Sequence, residues 1–182
     1  MDDFVRRVYL SEILRQAENA LASVQELNHY LRAADLPPAN RVPGVLRAVD
    51  DFLGDAARIR LMLWPTRRAA QERGEALRAE LEVSDDHPLY NATLRHHLEH
   101  FDERLDAWAA ESPNRIYVDH LLGPRNMIGG VAAKDIIRQY VTEENVYIFR
   151  GDEFNIQELV TAVDNLIPVI KQALIATDRV GS

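Results

Sequence analysis

The feature that most limits how this chain can fold is the spacing of apolar residues in its first thirty-odd positions. Leu10, Ile13, Ala17, Ala20, Val24, Leu27 and Leu31 recur at alternating intervals of three and four, the rhythm that lays a stripe along one side of an α-helix. Leu14 and Leu21 widen that stripe toward what a bundle helix buries. A helix with such a stripe must cover it, so the spacing predicts one long amphipathic helix, ended by Pro37 and Pro38 and packed against others.

The partners are legible downstream. A second helix is expected after Pro43, with Val45, Leu46, Val49, Phe52, Leu53, Ala56, Ile59 and Leu63 inward. Pro65 kinks or restarts it, because proline offers no N–H and collides with the preceding turn. The charged stretch beyond, TRRAAQERGEALRAELE, reads as a projecting extension or as a helix with one shallow buried stripe. A third helix is expected from about Pro88 to Glu111, stopped by Ser112-Pro113. The last begins at Ile156, where Asn155 and Glu158 have the spacing of a capping box, and a kink is expected at Pro168.

Between the third and last helices the chain changes character. Arg115–Asp119 and Asn145–Phe149 are short, aromatic and β-branched, which predicts two strands, with a short helix from Ala132 to Tyr140 between them. The expected fold is mainly α. It is an up-and-down helical bundle in a single domain, 1–182, with a small two-stranded β-insert at about 115–150 before the last long helix.

Composition narrows the chemistry. The chain has no cysteine, which removes thiol catalysis, disulfides and thiolate metal sites together. Its net charge of −8 argues against a general binder of nucleic acid or anionic membrane, while leaving room for a local basic cleft. Nearly all the positive charge is arginine, whose planar fork suits phosphate oxygens. The N-terminal stretch lacks the pattern of a signal peptide, and no run approaches the ~18 consecutive apolar residues of a membrane span. The expectation is a cytoplasmic protein without a membrane partner.

The stretch TLRHHLEHFDERLD, from Thr93 to Asp106, is where chemistry concentrates. At about 100° per residue, Leu94, Leu98, Phe101, Leu105 and Trp108 share one face, which is core. The polar residues then read in one of three ways. They form a solvated face, or a metal site of His96 and His100 with Glu103, or a reaction centre. A di-iron bundle wants Glu-x-x-His from two helices; Glu26–His29 fits once and His97–His100 does not.

Arg95-His96-His97-Leu98-Glu99-His100 is an arginine, a polar residue directly after it, and a histidine five positions on. It resembles the Arg-x(4–6)-His motif of HEPN domains, helical bundles that include metal-independent ribonucleases of toxin–antitoxin and defence systems. The resemblance implies Arg95 and His100 as catalytic residues and His96 as a supporting group toward the substrate. It also implies no metal or other cofactor, an RNA substrate, a homodimer with paired motifs, and an antitoxin or other protein partner. Histidine titrates near neutral pH and serves as acid or base, while arginine holds the charge that develops on a phosphorane. On a straight helix Arg95 and His100 point about 140° apart, so an unwound first turn or a second protomer is needed to close the site. The rival reading is a helical scaffold whose first helix mediates dimerisation or partner binding.

Other segments read as structure. Gly123–Gly130 has glycines and an arginine but no Gly-Lys-Ser/Thr ending. Gly151-Asp152-Glu153 reads as the acidic turn before the last helix.

Overall fold

The computed structural model describes residues 1–90, 101–112 and 115–180. Helix α1 spans Asp3–Arg32, and Asp2 caps it by accepting the Val5 N–H at 2.8 Å. Its seam is buried as the spacing predicts, with Leu10, Ile13, Ala17, Ala20 and Leu27 in the core and Val24 and Leu31 packed at its margin.

Helix α2 runs Pro38–Leu63, so it starts before Pro43 rather than after it. Proline costs little at a first helical position, and Pro43 sits early enough to forgo a single ladder bond. Most of the circumference of α2 is buried between Val45 and Leu63, which makes it the inner helix. Gly44 lets it close on α1: a Cβ there would come within 2.5 Å of the Tyr30 ring.

Pro65 ends α2 rather than kinking it, and the chain restarts as α3, Gln71–Glu80. Of the two expectations for this stretch, the shallow buried stripe is the one found, with Gly74 and Leu77 inward. The Arg78 guanidinium reinforces the fold-back by donating to the Leu63 carbonyl at 2.6 Å.

After a single 3-10 turn at Pro88–Tyr90, helix α4 spans Phe101–Glu111, and α5 spans Ile156–Val180 with Pro168 inside it. Asn155 accepts the Glu158 N–H at 3.0 Å, the cap that the spacing predicts. The stretch Ile156–Thr177 is long and apolar enough to cross a membrane by length and composition. One side of it, including Leu159, Val163, Leu166 and Ile170, is buried in the core, where α5 packs along α1.

The β-region departs most from expectation. It is a four-stranded mixed sheet in the order β1-β2-β3-β4, where two strands were expected. Strand β1 is Leu121–Leu122, β2 Arg138–Val141, β3 Val146–Phe149 and β4 Asp152–Asn155. β1 runs parallel to β2; the other two pairings are antiparallel. Only β3 coincides with an expected strand. Of Arg115–Asp119, Val118 alone makes a bridge, to Ile136.

The short helix expected over Ala132–Tyr140 is instead a 3-10 turn at Ala133–Asp135 followed by β2. Two tight turns explain this. Asn145 takes a left-handed φ of 54°, which asparagine tolerates, and returns β2 onto β3. Arg150 and Gly151, with φ of 46° and 88°, form the two-residue turn into β4. Asp152 and Glu153 therefore lie in an edge strand, not in a turn.

All four residues of β3 are buried, on two faces. Tyr147 and Phe149 join the main core with Tyr140 and Phe154, while Val146 and Ile148 form a second cluster with Val141.

Candidate functional site

The residues singled out by the motif, Arg95, His96 and His100, lie outside the described residues. What is described is the helix they lead into and how it is held. Arg104 of α4 pairs with Asp152 of β4 and lies over the Phe149 ring, 5.1 Å from its centroid. This is a sheet partner for Arg104, beyond the neighbours Glu99 and Glu103 available along its own stretch. Arg150 donates to the Arg104 carbonyl and to Glu111 at 3.0 Å. Trp108 donates its indole N–H to the Ile116 carbonyl at 2.8 Å and meets Tyr117 edge-on. The sheet thus fixes α4 along much of its length.

A polar network sits where the sheet meets α2. Tyr147 donates to Asp50 at 2.7 Å. Arg138 donates twice to Asp119, at 2.9 and 2.6 Å, and lies 3.7 Å from Asp50. Asp119 also accepts from the His120 N–H at 2.8 Å and from the Tyr117 hydroxyl at 3.3 Å. The His120 ring places Nδ1 3.3 Å from Asp119 and Nε2 3.5 Å from Arg138, on a backbone with φ of 61°.

The electrostatics follow from this geometry. Burial opposes ionisation of Asp119, but the Arg138 guanidinium and the His120 N–H outweigh it and hold the carboxyl below its ordinary range. Hydrogen bonding to Asp119 raises Arg138 above its usual value, against its own burial. Burial, with Asp50 alongside, pushes the Tyr147 phenol well up, so it stays a donor.

A half-exposed imidazole resting on a carboxylate is chemically able to move a proton. Among the described residues, two carboxylates, Asp50 and Asp119, face one guanidinium, Arg138. The network is better suited to clamping the sheet onto α2.

The sequence reading missed these residues because nothing local announces them. Asp50 and Tyr147 are 97 positions apart, and Asp119 and Arg138 sat in an expected strand and an expected helix. The one available hint was a pair of charged residues, Asp119 and Arg138, flanking short β-branched runs.

The metal alternatives fare as follows. Glu26 is 3.3 Å from Arg47, and His29 is exposed. No group of three His, Asp or Glu side chains gathers as ligands would among the described residues. Arg125, in the Gly123–Gly130 loop, is held by Glu144 at 2.6 Å and by Glu153, so the loop is tied to the sheet rather than open for phosphate.

No family model, curated protein or solved structure matches the chain.

Proposed function

We propose that this chain is a HEPN-like module that acts on RNA, cleaving it without a metal through Arg95 and His100. The observation that carries the reading is the motif itself, Arg95 and His100 five positions apart in the segment entering α4. The mainly helical architecture is consistent with it, and the reading extends it to an up-and-down bundle. In this scheme His100 takes the proton of the ribose 2′-hydroxyl as its oxygen bonds to phosphorus, and Arg95 stabilises the charge on the phosphorane. The phosphorus–5′-oxygen bond then breaks, the leaving oxygen taking a proton from water. His96 supports the phosphate. A homodimer brings two motifs together, and an antitoxin-like partner restrains the activity.

Internal attack by a 2′-hydroxyl has a chemical signature. The products carry 2′,3′-cyclic phosphates, and a strand with a single 2′-deoxy residue at the scissile position is not cut there. Cleavage of that deoxy position would exclude the proposed chemistry.

A second reading, a non-enzymatic interaction module, is favoured by one observation. Phe4 and Val8 stand about 150–170° around α1 from its buried seam and Val5 about 90°, and Phe4 is 76% exposed. An apolar stripe facing away from the core suits a protein partner. Under this reading, Phe4→Asp with Val8→Asp abolishes self-association or partner capture while the fold persists, and RNA is never cut.

A further inference from the structure

The charge of the chain is unevenly spread. Between positions 58 and 78 there are six arginines against two glutamates, a local positive surplus in a protein whose net charge is −8. Two of these arginines, Arg60 and Arg78, line a cleft of about 350 Å³, where the end of α2, the start of α3 and the turn before residue 91 meet.

The walls of the cleft combine two chemistries. Trp64 and Tyr90 lie with ring centroids 5.3 Å apart, and His87 is tilted against Trp64 at 6.2 Å. Arg60, 8% exposed, is 6.0 Å from the centre of the Tyr90 ring, and Arg78 is 5.7 Å from that of Trp64. Asp85 accepts the Trp64 indole N–H at 2.9 Å and lies 3.6 Å from Arg78. With Glu75 also in the wall, two carboxylates offset two guanidiniums. Among the described lining residues the charges therefore balance; Trp64 is 7% exposed and packed against Tyr90, while Tyr90 keeps 46% of its surface in solvent.

Thr66 lines the cleft, and the next two residues in the chain, Arg67 and Arg68, are exposed. A half-exposed aromatic ring at the cleft, with two exposed arginines next along the chain from its wall, suits one nucleotide of a single strand, with its base stacked and its phosphate outside. A phosphopeptide needs no stacking wall, and a membrane surface would need the cleft to open on an apolar face, whereas Arg60, Glu75, Arg78 and Asp85 line it.

We infer that the cleft beside Tyr90 binds a nucleotide of single-stranded RNA, the base stacking on the exposed part of the Tyr90 ring and the phosphate reaching Arg67 and Arg68. This rests on the RNA-directed reading above and names its substrate class as unpaired RNA. Tyr90 immediately precedes the segment that carries Arg95 and His100, so the cleft adjoins the motif along the chain.

The test is binding, read separately from cleavage. A fluorescently labelled, unstructured RNA oligonucleotide is titrated with the full chain in EDTA, with His100→Ala as background so that the probe stays intact. Tyr90→Ala weakens binding by about tenfold or more, and Tyr90→Phe, which keeps the ring, binds as the background protein does. Arg67→Glu with Arg68→Glu, at exposed positions that the fold does not need, weakens binding and flattens its salt dependence. Unchanged affinity in both the Tyr90→Ala and the double arginine variant overturns the inference, as does a folded chain that binds no RNA. Binding through Tyr90 by a native chain that cuts nothing sustains the inference and removes the catalytic reading. Cleavage that persists with Tyr90 and arginine variants binding normally does the reverse.

Discussion

Tyr147 of β3 donates its hydroxyl to Asp50 of α2 at 2.7 Å, joining the sheet to the innermost helix across 97 residues of sequence. The phenol is fully buried, and in the register it lies between Tyr140 and Phe154. Tyr147→Phe retains the ring and removes the bond, leaving Asp50 short of a donor. The expected loss is about 1–2 kcal/mol, measured as a lower urea midpoint at unchanged slope. Unchanged stability would mean that the bond contributes nothing net.

Asp119 and Arg138 set an acid limit. Because the Asp119 carboxyl is held below its ordinary value in the folded state, its stabilisation is present above the unfolded value, near pH 4, and is lost as pH falls through the folded value. Asp119→Asn therefore lowers stability at pH 7 and makes the acid decline below about pH 4 shallower. Arg138→Gln leaves a mostly buried carboxylate uncompensated and costs about 2–3 kcal/mol at pH 7. Chemical denaturation at several pH values separates the two variants.

Gly74 tests whether α3 is folded tightly onto α2. A Cβ there would lie 2.4 Å from the Pro65 ring and 2.7 Å from the Leu63 carbonyl. Gly74→Ala gains up to about 1 kcal/mol in helix propensity but must displace backbone, so a net loss of about 1–2 kcal/mol is expected. Gly129→Ala, with nothing within 4 Å of the new methyl, is neutral or slightly stabilising. Equal midpoints for the two variants would refute the close packing.

Burial lowers the His87 imidazole, opposed only by Asp86. A depressed histidine stabilises the fold above its unfolded value, near pH 6.5, and that contribution is lost as pH falls through the folded value. His87→Gln should remove this component, so its stability falls less than that of the native chain as pH drops below about 6.5. The ring lies against Trp64, so indole fluorescence follows the transition.

These tests fall mostly on features that local sequence could not display. The α1 seam was legible because one face of one helix repeats at 3.6 residues, and the Asn155 cap because it acts over three positions. β2 was hidden because Arg138-Gln-Tyr-Val has no alternation to read. Its strand character comes from β3, supplied through a left-handed turn at Asn145. β4, Asp152-Glu-Phe-Asn, is a polar edge whose one buried side chain is Phe154. Likewise, the aromatic–arginine cleft needs Trp64 and Tyr90 to meet across 26 positions, a distance over which no periodicity speaks. The Arg95–His100 motif was visible because it is a short spacing, and a short spacing conveys residue types without their geometry.

The central claim is that this stretch cuts RNA without a metal, and one assay addresses it directly. Mixed RNA substrates are incubated in EDTA with the native chain and with His100→Ala, both shown by circular dichroism to be folded and matched in oligomeric state. The account predicts cleavage by the native protein that is unaffected by EDTA and disappears in the variant. Cleavage that survives His100→Ala, or a well-folded native chain that cuts no RNA, would contradict it.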